Sequence, residues 1–364
     1  MTTELGRLIA RRIALAGPIT VADFMAEALG HPRLGYYRRA MPLGAAGDFT
    51  TAPEISQMFG EILGAWLAER WLAMARPAAV RLIELGPGRG SLMADALRAT
   101  RGVPGFHDAI SLHLVDISQP LRGAQQTALA AWRPTWHDRF DDVPAGPALL
   151  IANEFFDALP VRQFHKTAQG WCERMVGLTP DGEALCFALA PGVTPFARFL
   201  PEAPAGAEAE ISEAARALAS AIGARLGRDG GWALIVDYGR DAPGPGSSLQ
   251  AVRGHLGAAI LEQPGETDLS AHVDFAALAQ AAAVSQARVF GPTGQGDFLR
   301  RLGIVHRAET LKASAAMGQG AAIDAALARL IAPDQMGTLF RVLAVGDDRS
   351  AAPAGFSNAL SDDT

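Results

Sequence analysis

The sequence has almost no cysteine: Cys172 and Cys186 are the only two in 364 residues. That scarcity excludes a disulfide-stapled scaffold and a four-cysteine zinc site. The two flank a predicted hairpin and could face each other across it, yet as small apolar side chains they need no partner. No run of 18 apolar residues occurs, so no transmembrane helix and no membrane insertion is expected. The opening stretch MTTELGRLIARRIALAGP lacks the continuous apolar segment and cleavage site of a secretory signal, so a cytoplasmic protein is expected. Long basic blocks are missing too. With 32 Lys+Arg against 38 Asp+Glu, a formal net charge of −6, the chain lacks the main driving force for a nucleic-acid partner. What is present points to a globular protein. The composition is 49% hydrophobic, enough for a sizeable core, while 39 glycines and 23 prolines are too many for a helical bundle with short loops.

Two short helices are predicted over 4–30, the second capped by Thr20 with Asp23 closing a capping box. A third is predicted from Thr51-Ala52-Pro53-Glu54 up to about Arg76. From Val80 the pattern changes to short apolar runs alternating with helices: 80–85, 110–116, 148–156 and 232–239, with 287–291 and 340–346 as closing strands. That alternation predicts an α/β fold, a parallel sheet covered on both faces. The rhythm breaks over 161–231, where three strand-like segments and the turn Pro180-Asp181-Gly182 suggest a small antiparallel insertion. The expected organisation is a helical extension and lid (1–78), a first core half (79–160), the insertion (161–231), a second core half (232–347) and a tail (348–364).

The segment Glu84-Leu85-Gly86-Pro87-Gly88-Arg89-Gly90-Ser91 follows a predicted strand and opens a helix. Glycines there permit positive φ and close approach of a ligand to the backbone. The spacing of Gly86, Gly88 and Gly90 is neither the G-x-G-x-x-G of nicotinamide folds nor a nucleoside-triphosphate loop. The next strand ends in Asp116, whose carboxylate can accept both hydroxyls of a ribose. No basic residue is dedicated to a pyrophosphate. A phosphate-free nucleoside is therefore expected, and S-adenosylmethionine fits, with Glu84 available to the ammonium of its methionine end. No metal is expected, since no second His or Cys stands at ligand spacing from His272.

The strand 148–152 runs into Asn153-Glu154-Phe155-Phe156-Asp157-Ala158-Leu159-Pro160. At the carboxyl end of a central strand these side chains would stand beside the reactive methyl. Methyl transfer to nitrogen needs alignment of the acceptor and a group to take its proton. Glu154 and Asp157 are the candidate acids, Asn153 the orienter, and Phe155 and Phe156 the apolar walls. A helix cap at Glu154 and core positions for the phenylalanines are the structural alternatives.

With these residues in view, the chain resembles the MidA-like S-adenosylmethionine-dependent methyltransferases, whose mitochondrial members are complex I assembly factors that dimethylate an arginine. The motifs that carry the likeness are HPRLGYY (31–37), GDFTTAPEISQMFGE (47–61), ELGPGRGSL (84–92), NEFFDALP (153–160), VDYG (236–239), GETDLSAHVDF (265–275), GPTGQGDFL (291–299) and MGTLFRVLA (336–344). The resemblance implies a class I, Rossmann-like methyltransferase core with added helices and a substrate-side insertion. It also implies that Gly86, Gly88 and Gly90 hold the cofactor, that Asp116 takes the ribose where the family often has Glu, and that Gly47, Asp48, Phe49 and Thr51 form a lid. Asp237, His272 and Asp274 are further polar candidates near strand ends. The implied partner is a protein substrate, a subunit of a respiratory NADH dehydrogenase, whose permanently charged guanidinium would be held by a carboxylate fork of Glu154 with Asp157 and Asp48. A methyltransferase for a small molecule or nucleic acid, and a cofactor-binding assembly factor acting without catalysis, are the alternatives.

Overall fold

Short apolar segments bounded by glycine turns pair into an eight-stranded sheet. Its seven principal strands are numbered in chain order: β1 (Val80–Leu85), β2 (Ile110–Val115), β3 (Thr135–His137), β4 (Ala148–Asn153), β5 (Gly231–Arg240), β6 (Arg288–Gly294) and β7 (Phe340–Gly346). The computed structural model describes residues 3–39, 51–242, 244–283, 287–316, 318–346 and 352–356. Across the sheet the order is β3-β2-β1-β4-β5-β7-β6. The first five run parallel, and β7 runs antiparallel to both of its neighbours. Order reverses between β1 and β4, the switch point where an open sheet leaves a crevice at its carboxyl edge.

Alternation along β4 explains why the central strands read as unbroken apolar runs. Leu149 and Ile151 pack on one face with the helices Gln57–Ala73 and Ser91–Ala99. Ala148, Leu150 and Ala152 pack on the other with Glu213–Asp229 and Phe275–Ala283. Every position is therefore buried.

The N-terminal helices Glu4–Ala16 and Val21–Gly30 form as expected, and Thr20 and Asp23 exchange the two bonds of the capping box. The predicted helix from Thr51 is instead two. Ala52–Ile55 stops at Ser56, which is extended and caps Gln57–Ala73 by accepting from the Met58 N–H. Strands Arg162–Thr167, Gly170–Leu178, Leu185–Leu189 and Glu208–Ile211 make the antiparallel sheet, joined at Gly170–Leu178 by Ile19–Thr20 from the N-terminus. Helix Glu213–Asp229, inside the same stretch, packs on the central sheet. The cysteines do not face each other: Cys172 pairs with His165 and Cys186 with Gly177. Leu5, Ile9, Phe24 and Met25 from the N-terminal helices share a separate core with Val161, Val176 and Leu269, and this brings Val21–Gly30 over the sheet's carboxyl edge.

Candidate active site

A cavity of about 410 Å³ opens at the switch point. Its floor is the turn after β1. Gly86, Gly88 and Gly90 hold φ of 62°, 53° and 85°, all in the left-handed region. At Gly86 a side chain would also collide, since a Cβ there would lie 2.7 Å from the Phe155 ring. Glu84, at the end of β1, is 3% exposed and lines the cavity, with its Oε2 buried and without a hydrogen-bond partner among the described residues. Burial, assisted by the charge of Asp116, pushes its carboxyl up to about 8.

Asp116 follows β2 and lines the same cavity. Its Oδ1 accepts from the Ser118 N–H at 2.7 Å and its Oδ2 from the Gln125 amide at 2.7 Å. Burial raises its carboxyl above the ordinary value against these two bonds. Each oxygen keeps a second lone pair for a ligand hydroxyl. Gln125 was not singled out from the sequence. It is fully buried; its Nε2 also donates to Gly88 O at 2.8 Å, and its Oε1 accepts from the Trp136 indole at 2.8 Å. One amide thus fixes the glycine turn to the acidic residue, and only the fold could reveal that pairing.

The other wall is the turn after β4. Asn153, Glu154 and Phe155 line the cavity, while Phe156 is 3% exposed and belongs to the core. Glu154 has φ of 49°, strained for a residue with a Cβ. Its Oε1 accepts from the Ala52 N–H at 3.0 Å and from Asn153 Nδ2 at 3.1 Å. No helix starts at Glu154, so the expected cap of its own segment is absent; its carboxylate instead accepts the first N–H of the helix Ala52–Ile55. Burial pushes the Glu154 carboxyl up to about 7. Asn153 Oδ1 is buried without a partner among the described residues.

Asp157 departs from the expectation that it stands beside the acceptor. It does not line the cavity; its Oδ2 accepts from the Tyr238 hydroxyl at 2.8 Å, and burial pushes it up to about 6. Asp237 is fully buried and bonds the backbone of the same turn. Burial, with the charges of Asp157 and Glu154, raises its carboxyl well above the ordinary range, opposed by the N–H groups it accepts from. His272 and Asp274 line a separate cavity of about 30 Å³. The His272 ring packs edge-on to Tyr238, and Asp274 accepts from the Ala277 N–H in the first turn of a helix.

Of the expected lid, Gly47, Asp48 and Phe49 lie outside the described residues. Thr51 lines the cavity but makes no side-chain cap bond. Glu54, read from the sequence only as a helix-start residue, also lines the cavity and accepts from Ser91 Oγ at 2.8 Å.

A glycine turn, a carboxylate at the next strand tip and a polar third tip, all around one crevice of a doubly wound sheet, define a class I nucleoside-binding methyltransferase fold. The chain belongs to a family of S-adenosyl-L-methionine-dependent methyltransferases, whose profile matches residues 62–293. It is 36% identical to the mitochondrial protein arginine methyltransferase NDUFAF7 of Danio rerio, over 93% of this chain and 85% of that protein. The Homo sapiens protein of that name is 37% identical, over 85% of this chain and 75% of its own length. A crystal structure of a Burkholderia thailandensis protein bound to S-adenosyl-homocysteine matches with a TM-score of 0.86 and 30% identity, covering 97% of this chain and 94% of that one. The expectation of a cytoplasmic protein is overturned by these relatives, which are named as mitochondrial. Among the described residues no helix is long and apolar enough to cross a membrane.

The residues present fit S-adenosylmethionine. The Oε2 of Glu84, unpartnered among the described residues, suits an ammonium, the free lone pairs of Asp116 suit ribose hydroxyls, and the left-handed glycine turn lines the cavity with backbone.

Proposed function

We propose that this chain N-methylates an arginine of a protein, and that the protein is a subunit of a respiratory NADH dehydrogenase modified during assembly. The curated relatives named as protein arginine methyltransferases support the acceptor class. The observation that carries the chemistry is the pair of acceptor groups at the cavity wall where β4 ends: the Glu154 carboxylate and Asn153 Oδ1, which has no partner among the described residues.

When bound, S-adenosylmethionine supplies an electrophilic methyl on a sulfonium. The task left to the chain is to hold a planar cation in line and take a proton from it. Glu154 Oε1 is fixed by Ala52 and Asn153, so the carboxylate is already oriented before substrate arrives. With its carboxyl near 7, Glu154 is largely ionised just above neutrality yet basic enough to receive a proton. Asn153 Oδ1 can accept a second guanidinium N–H, completing a fork that fixes the plane. On this reading Asp157 supports the wall from behind.

Incubating the protein and labelled S-adenosylmethionine with cell extract tests the proposal. Label is expected in a protein band and, after hydrolysis, in methylated arginine. Glu154→Gln should lower transfer at least about 100-fold while cofactor affinity stays within about tenfold. Label in RNA or a small molecule overturns the acceptor class, and label nowhere overturns the activity.

A further inference from the structure

Asp237 sits at the carboxyl end of β5, 0% exposed, and does not line the cavity. Its Oδ2 accepts from three successive backbone N–H groups, those of Phe155 at 3.2 Å, Phe156 at 2.9 Å and Asp157 at 3.2 Å. Its Oδ1 accepts from the Tyr238 N–H at 2.9 Å. The Glu154 N–H still belongs to the sheet, donating to Val236 O at 2.9 Å. The chain thus leaves the β4–β5 ladder at Glu154 and turns at once around a single carboxylate oxygen. That turn requires the left-handed backbone at Glu154, and a residue with a Cβ persists there only where its surroundings over-determine it. Three converging N–H groups form a nest, which a carboxylate fills best.

We propose that Asp237 is a positioning residue for methyl transfer, holding the turn that presents the Glu154 carboxylate to the cavity. The inference rests on the role of Glu154 given above. Tyr238 adds a second tie from the same strand, its hydroxyl donating to the Asp157 side chain. Consecutive residues of β5 therefore hold the backbone and a side chain of one loop, while the cofactor-facing residues Glu84 and Asp116 lie on β1 and after β2.

The test combines Asp237→Ala and Asp237→Asn with three readouts: kcat, S-adenosyl-homocysteine affinity by calorimetry, and amide hydrogen exchange. Asp237→Ala should lower kcat at least about 100-fold and leave affinity within about threefold, as for loss of an interaction made only in the transition state. Exchange at Phe155, Phe156 and Asp157 should accelerate at least about tenfold, because those amides lose their acceptor. Asp237→Asn keeps one oxygen for the three N–H groups but opposes its amide to the Tyr238 N–H. It should recover at least about tenfold of the lost kcat, and should serve alone if the alanine variant does not fold. Unchanged kcat, an equal loss of affinity and kcat, or unchanged exchange at the three amides would each overturn the proposal. Failure of the wild type to methylate any arginine would sink the role of Glu154 instead, and the exchange experiment would still report on the turn.

Discussion

At the residue scale the cavity holds more acid than its own chain neutralises. Glu84, Asp116 and Glu154 line it, and burial raises all three carboxyls. Such an arrangement is costly until a cation arrives, and the ammonium and sulfonium of the cofactor and the guanidinium of the acceptor are cations. Glu84 makes the consequence measurable. Its carboxyl sits at about 8 in the folded protein, against an ordinary value near 4.5, so the folded state holds the proton more tightly than the unfolded chain. Stability from this group is full below about pH 4.5 and declines as pH rises through about 8. Thermal melts of the ligand-free protein should show Tm falling between pH 5 and 8, with a shallower fall in Glu84→Gln. Parallel curves would mean that Glu84 is not held in its protonated form. The sequence made Glu84, Asp116 and Glu154 legible because each stands at or just past the end of a strand, Glu84 immediately ahead of the glycine turn. It could not separate Glu154 from Asp157, which differ only in which side of the turn their side chains take. Nor could it show Gln125, whose importance comes from reaching two loops at once.

Elements were legible wherever hydrophobic period and turn chemistry agreed. The strands β1 and β7 and the capped helix Val21–Gly30 fall where the pattern puts them, while β4 ends at Asn153, short of the apolar run to 156, because the chain turns at Glu154. Strand β3 went unread because three residues, Thr135–His137, are too few for a period to show. The break between Ala52–Ile55 and Gln57–Ala73 was hidden because apolar spacing continues through Ser56 while the backbone does not. That break matters to the site, since it lets the short helix reach across the cavity from Ser91, through Glu54, to Glu154, through the Ala52 N–H. The turn after β1 offers the sharpest test of element geometry. Gly86→Ala puts a methyl against Phe155 and pays roughly 1–2 kcal/mol for left-handed backbone. Cofactor affinity should fall at least about tenfold and Tm should drop. Unaltered affinity would show that the turn does not approach the ligand.

For the whole molecule, the two halves of the sheet divide the labour. One side of the switch point, β1 and β2, carries the glycine turn and Asp116; the other, β4 and β5, carries the Glu154 turn and the side chains that brace it. The N-terminal helices and the antiparallel sheet share a core that closes over this edge, so residues distant in sequence, Met25, Leu29 and Pro160, complete the cavity. The α/β class followed from strand–helix alternation alone. That the N-terminus contributes a strand to the antiparallel sheet did not, because two residues, Ile19–Thr20, carry no pattern.

Calorimetric titration with S-adenosyl-homocysteine, on wild type and Asp116→Ala, measures the claim on which everything else depends. A single saturable binding event is predicted for the wild type. It should weaken about 10–100-fold in the variant, as expected when hydrogen bonds to a charged acceptor worth about 1.5–3 kcal/mol are removed. No heat from the folded wild type, or equal affinity in both proteins, would contradict the account.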